Sequence, residues 1–248
     1  LSPASTWMDA QVEGRPVTPR KGKPVEINAL WHSGLCFMHE LAVKFGDRRT
    51  AGVVAPLIEG AGESFQKFMS AHDDSQLFDL IEPNDPTLRP NQLFAVCLPH
   101  SPLNELQKKH VFNLIRSRLY TPLGLYSLAP QDERFRNAYS GGPSQRDSAY
   151  HQGMIWPWLL GAFYDAHLAI YPGSERQVLA SLKPVWEAMK LGCAGTLPEL
   201  YEPKAMLPAG AVSQAWSVAE VLRIYTKVKR TATAVNAQAR GLAIGAYA

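Results

Sequence analysis

Apolar residues recur at intervals of three and four from Glu26 to Phe45, at Ile27, Leu30, Trp31, Leu35, Met38, Leu41, Ala42 and Phe45. That period belongs to one face of an amphipathic helix, and Gly46 ends it. A second helix is expected over Arg49 to Met69, weakened by Gly60 and Gly62. Residues 71–90 lose the period and carry turn pairs at Pro83, Pro86 and Pro90, with a short strand expected over Phe78 to Ile81. Gln92 to Leu98 reads as a short helix. Asn104 to Leu119 reads as a longer one, with Leu106, His110, Val111, Leu114, Ile115 and Leu119 on one face.

Residues 120–149 are rich in Gly, Pro, Ser and Asp, and loops of that length often carry function. Three more helices are expected: Gln152 to Tyr171, Glu175 to Leu191, and Ser213 to Lys229. The last should turn Trp216, Ala219, Val221, Leu222 and Tyr225 inward, after a loop over 193–212. The tail from Thr231 to Ala248 is mostly Ala, Gly, Thr and Gln and should be loosely held. Helices paired through loops point to an all-α toroid or bundle and not to βαβ units.

Composition agrees with a cored globular chain. Of 248 residues, 46% are hydrophobic and 19% charged, which excludes an intrinsically disordered protein. The net charge of +3 makes no case for nucleic acid or an anionic membrane as partner. No apolar run approaches the roughly 18 residues of a membrane-spanning helix. The first residues have neither the basic nor the apolar region of a signal peptide. Cys36, Cys97 and Cys193 are too few, and odd in number, for a disulfide framework. They suit a reducing compartment, hence a cytoplasmic location.

Most short motifs read as structure. His32, Cys36 and His39 share one helix face, but on an amphipathic helix they are better read as core residues than as metal ligands. Neither Gly60-Ala61-Gly62 nor Gly141-Gly142 has the context of a phosphate loop, and no Gly-x-Ser-x-Gly elbow is present. The basic stretch from Arg15 to Lys23 is broken by Pro16 and Pro19 and reads as a solvated loop. No metal and no organic cofactor are implied.

Three polar-aromatic clusters remain. They are Thr6-Trp7-Met8-Asp9-Ala10 with the stretch Thr18 to Trp31, Arg89 to Val96 with Tyr150 to Trp158, and Leu197 to Glu202 with Gln214 to Arg223. These strings, in this order, resemble the C-terminal domain of glycogen debranching enzymes, the amylo-α-1,6-glucosidase family. The resemblance covers about residues 5–226.

The resemblance implies an (α/α)6 toroid of the six-hairpin glycosidase type, present here as its C-terminal part. Residues 1–230 would form the partial catalytic domain and 231–248 the Ala/Gly-rich tail. The family places several helices before its Thr-Trp-Met-Asp string, so an N-terminal segment or a second copy is expected to cover the open side. By the same resemblance Asp9 is the general acid and Glu199 the general base of an inverting glycosidase acting on α-1,6 branches of glycogen-like α-glucans. The loop around Glu199 departs from the family pattern, with Pro198 before it, Glu202 in place of Asp and Pro203 in place of Gly.

The residue types fit that chemistry. A glycosidase needs one protonated carboxyl to assist the leaving oxygen and one ionised carboxylate to accept a proton from water, about 6.5–9.5 Å apart for inversion. Trp7 and Met8 should give Asp9 an apolar neighbourhood that raises its pKa, whereas Glu199 lies in a polar loop beside Tyr201. Trp31, Trp156 and Trp216 could stack on a glucosyl ring, Trp216 being the readiest of the three to read as core, and Trp7 is a further substrate-binding candidate. Glu26, Asn28, Arg89, Asn91, Tyr150, His151 and Gln152 could hold sugar hydroxyls. Two rivals stand beside this reading: another α-glucosidase or disaccharide hydrolase specificity on the same fold, and an inactive α-glucan-binding fragment.

Overall fold

The computed structural model describes residues 1–69, 76–191 and 195–245, with side chains placed as far as residue 231. It is mostly helical. Helices α1 (Val25–Lys44) and α2 (Arg48–Phe65) form the first hairpin. Gly46 makes its turn at φ +73°, and Asp47 caps α2 by accepting from the Thr50 amide at 3.0 Å. A 3-10 turn at Pro90–Leu93 leads into α3 (Phe94–Cys97). Helix α4 (Glu105–Arg118) starts on a capping box in which Asn104 and Gln107 satisfy each other's backbone amides at 2.9 Å. Then come α5 (Pro143–Tyr150), α6 (Leu159–Ile170), α7 (Glu175–Ser181), α8 (Lys183–Leu191) and α9 (Ala215–Gly245).

Short antiparallel strands join these helices. Strands β1 (Gln11–Val12) and β2 (Arg15–Pro16) form a hairpin, and β3 (Lys23–Pro24) pairs with β4 (Leu80–Ile81). A five-stranded sheet runs in sequence order through β5 (Tyr120–Thr121), β6 (Gly124–Tyr126), β7 (Ile155–Trp156), β8 (Leu200–Tyr201) and β9 (Pro208–Ala209). The all-α expectation did not include this sheet, because strands of two or three residues are too short to carry a period of two. The sheet gathers the ends of distant loops at one place.

Two helix boundaries moved for local reasons. The helix expected from Gln152 begins at Leu159, since Gly153 sits at φ +133° and Pro157 lacks an amide proton. The helix expected over Glu175 to Leu191 breaks at Leu182, because Pro184 cannot donate to the carbonyl four residues back.

One continuous core holds Phe65 and Phe68 from the first hairpin, Val111, Phe112 and Ile115 from α4, Leu159, Leu160 and Phe163 from α6, and Val221, Ile224 and Val228 from α9. Helix α1 turns a mixed face inward, with Glu26, His32 and Ser33 buried beside Val25, Ala29, Leu35 and Ala42. Its large apolar residues Leu30, Trp31, Phe37 and Met38 are exposed, as are Phe45 just beyond its end and Val53 and Leu57 of α2. Leu106 and Leu222, expected to face inward, are exposed too.

Helix α9 continues to Gly245, through most of the expected tail, while Cys193 lies outside the described residues. Among the described residues no helix is long and apolar enough to cross a membrane, and no His, Cys, Asp and Glu group could hold a metal ion. His32 uses Nδ1 at 3.2 Å from the His100 carbonyl, and burial raises the Cys36 thiol, with Glu40 acting the same way.

Candidate active site

The segment that carries Asp9 is pinned from beneath by a buried polar chain. Arg20 donates to both Glu26 oxygens at 2.5 and 2.6 Å and to Asp79 Oδ2 at 2.7 Å, all three side chains being buried. Burial pushes the Glu26 carboxyl up against the pull of Arg20. The other Asp79 oxygen accepts from Asn91 Nδ2 at 2.8 Å, and Asn91 Oδ1 accepts from Trp7 Nε1 at 2.7 Å. Thr6 Oγ1 accepts from Arg20 at 3.1 Å and from the Met8 amide at 3.3 Å. Met8 is thereby turned into the core and Asp9 is left exposed. The apolar enclosure expected around Asp9 is therefore not formed by the described residues.

A second buried group fixes the turn after α5. Arg89 donates to the carbonyls of Ser127 at 3.0 Å and His151 at 2.8 Å, and to Gln152 Oε1 at 2.9 Å. Burial draws its guanidinium down to about 10. His151 lies flat against Trp156, with ring centroids 5.4 Å apart, and meets the edge of Trp7 at 5.2 Å. Burial, then the charges of Arg89 and Arg20, pull the His151 pKa down to about 3, so the imidazole is neutral at ordinary pH. Trp7 also meets Trp156 at 5.3 Å and Trp158 at 5.2 Å, and Trp158 stacks on Trp216 at 5.0 Å.

Glu199 stands just before β8 and its carboxylate is held by three donors. Tyr150 Oη, at the end of α5, donates to Oε1; Gln214 Nε2 donates to the same oxygen at 3.2 Å; the Ala211 amide donates to Oε2 at 2.9 Å. Gly210, at φ +71°, lets the chain pass, because a Cβ there would collide with Oε2. Burial and then Glu199 push the Tyr150 phenol well above its ordinary value, and the charges of Tyr139 and Asp9 act in the same direction. One phenolic hydroxyl thus feels both carboxylates expected to do chemistry. The hairpin of β8 and β9 is tied to the loop before α5, since Glu202 Oε2 accepts from the Tyr139 amide at 3.4 Å and the Lys204 amide donates to the Asn137 carbonyl at 3.0 Å.

The residues singled out from sequence divide into three sets. Tyr150 and Glu199 are joined by a hydrogen bond, and the charge of the exposed Asp9 acts weakly on the same phenol. Trp7 is half-buried, and Glu26, Arg89, Asn91, His151, Gln152 and Trp156 are buried beneath or beside it, where they brace the site. Asn28 and Trp31 line a different groove, of about 350 Å³, between α1, α2 and β4. Asn28 donates to the Pro24 carbonyl at 2.8 Å, and Trp31 is 59% exposed.

Several contributors were not foreseen. Arg20 was placed in a solvated loop, whereas it is the buried centre of the Glu26 and Asp79 pairs. Its partner Asp79 lies 59 residues on, beyond any local pattern. Gln214 sits in the string Gln214 to Arg223, and its place there is the one signal that pointed to it. Gly210 and Tyr139 carried no signal.

The family described as amylo-alpha-1,6-glucosidase matches residues 2–223. The glycogen debranching enzyme of Saccharomyces cerevisiae is 28% identical, over 72% of this chain and 15% of its own length. Among solved structures, a GH63 mannosylglycerate hydrolase from Thermus thermophilus aligns at a TM-score of 0.58 with 14% identity, over 82% of this chain and 45% of the hydrolase. A sialidase aligns at 0.62 with 10% identity, over 82% of this chain and 19% of its own. The chain spans less than half the length of each of these proteins, and at such identities the structural likeness concerns the fold.

Proposed function

The chain belongs to the amylo-alpha-1,6-glucosidase family, and from that premise we propose that it hydrolyses α-1,6-glucosidic branch linkages of glycogen-like α-glucans with inversion. It does so as the C-terminal part of an (α/α)6 toroid. Asp9 gives a proton to the bridging oxygen as the bond to the anomeric carbon breaks. Water attacks that carbon from the opposite face and gives its proton to Glu199, so the glucose released is the β anomer. The half-buried edges of Trp7, Trp158 and Trp216 supply an apolar wall for the ring.

The observation that carries this reading is the support of Glu199. Its carboxylate is fixed by donors from three separate places, at Tyr150, Ala211 and Gln214, and the hydroxyl of Tyr150 is also within the field of Asp9. A two-carboxylate mechanism needs a base held in place in this way, and the charge of Asp9 reaches the same phenol, though more weakly than that of Glu199.

The test is proton NMR of the chain acting on a limit dextrin, with Asp9→Asn and Glu199→Gln beside it. The expected result is β-glucose as the first product and a loss of rate of about a hundredfold or more in each variant. First appearance of α-glucose would sink inversion. Turnover of a disaccharide without turnover of the dextrin would move the specificity elsewhere. Glycogen binding with no turnover by the unaltered chain would make it a glucan-binding fragment.

A further inference from the structure

We propose that Tyr150 is a positioning residue for Glu199, its proton being given to the carboxylate and not to a sugar hydroxyl. The proposal rests on the reading of Glu199 as the general base.

A phenol has one proton to donate. In this structure that proton goes to Glu199 Oε1, an oxygen that also takes Gln214 Nε2 at 3.2 Å. The proton is therefore committed to the carboxylate, and a sugar hydroxyl could meet Tyr150 only through the acceptor side of its oxygen. The ring is equally committed. It meets His151 at 4.7 Å, Trp156 at 5.0 Å and Tyr139 at 6.0 Å between ring centroids, so three aromatic neighbours hold its direction. Its backbone closes α5, whose next residue is fixed by the bond from Arg89 to the His151 carbonyl at 2.8 Å.

The result is a rigid lever. Arg89 and the tryptophan cluster set the turn, the turn sets the Tyr150 ring, and the ring sets one oxygen of Glu199. The Ala211 amide sets the other oxygen at 2.9 Å. With the phenol pushed up by burial and by Glu199, the hydroxyl keeps its proton and stays a donor throughout the working pH range. A carboxylate so clamped can keep one lone pair aimed at a water, and a displacement of about 1 Å costs on the order of a hundredfold in rate.

The experiment compares Tyr150→Phe, Glu199→Ala and the double variant, each measured by kcat and KM on a limit dextrin and by urea denaturation. Phe keeps the ring and its packing. The expected result is a fall in kcat of about 10- to 100-fold for Tyr150→Phe, with KM within about threefold. In the Glu199→Ala background the same change should cost no further rate, and the two stability effects should be non-additive. Equal losses in both backgrounds, or a loss carried by KM, would overturn the positioning role. If Glu199→Ala leaves turnover intact, the base assignment fails and takes this role with it, and additive stabilities would then show that the hydroxyl and carboxylate are not linked at all.

Discussion

The indole nitrogen of Trp7 donates to the side-chain oxygen of Asn91 at 2.7 Å, and the two residues are 84 apart in sequence. That bond anchors the segment two residues before Asp9. Asn91 is wholly buried and donates from its amide to Asp79, which in turn is held by Arg20. A continuous line of donors and acceptors therefore runs from Glu26, at the start of α1, to Trp7, two residues before the exposed Asp9.

Asn91→Leu tests this line. It keeps the volume but removes the acceptor of Trp7 and a donor to Asp79. Leaving two buried polar groups short of a partner should cost about 2–3 kcal/mol in urea denaturation. Turnover should fall further than stability explains, because the Trp7 to Asp9 segment loses its anchor. Undiminished kcat in a folded Asn91→Leu protein would show that the segment is placed by something else.

Arg20→Met should be more damaging. Glu26 and Asp79 would be left as buried carboxylates without their cation, a defect worth about 3–5 kcal/mol. The penalty should shrink as pH falls, since Glu26, already pushed up by burial, takes a proton more readily once Arg20 is gone. The check is the gap in denaturant midpoint between variant and parent, followed from neutral pH toward acid. A gap between variant and parent that widens toward acid would contradict the assignment.

The long amphipathic helices were legible because their period repeats over many turns, and α1, α2 and α4 begin and end within a few residues of expectation. Which face of α1 is buried was not legible. Of its large apolar residues Leu35 packs, but Leu30, Trp31 and Met38 stay exposed while the polar Glu26 and His32 are buried, since Glu26 reaches Arg20 and His32 the His100 carbonyl. At the site, residue types pointed to a neighbourhood but not to what each side chain touches. Arg89 and His151 look like sugar contacts in a string of letters. Only the fold shows Arg89 spent on carbonyls and His151 enclosed by Trp7 and Trp156.

His151 gives a pH dependence with a definite sign. Its folded pKa, pulled down to about 3, lies below the 6.5 of the unfolded chain. The unfolded state therefore binds the extra proton between those values, and stability present above about pH 6.5 is lost as pH falls toward 3. At about pH 5 the loss from this residue alone should be about 2 kcal/mol relative to about pH 8. His151→Gln should flatten that part of the stability curve. An unchanged slope would mean that the imidazole is protonated in the folded state.

Gly210→Ala separates backbone strain from the fit against Glu199. The backbone there is at φ +71°, which costs an alanine about 1–3 kcal/mol wherever it occurs. Gly173 is at φ +84° with open space around the missing Cβ, so Gly173→Ala carries the strain alone. At Gly210 the new Cβ would also collide with Glu199 Oε2 and press on the Glu199 Cβ at 3.0 Å, so the carboxylate must leave the Ala211 amide that now holds it. Both variants should lose similar stability, but Gly210→Ala alone should lose kcat, by about tenfold or more and with little change in KM. Matching kinetics for the two alanines would mean that the placement of Glu199 against β9 does not limit turnover.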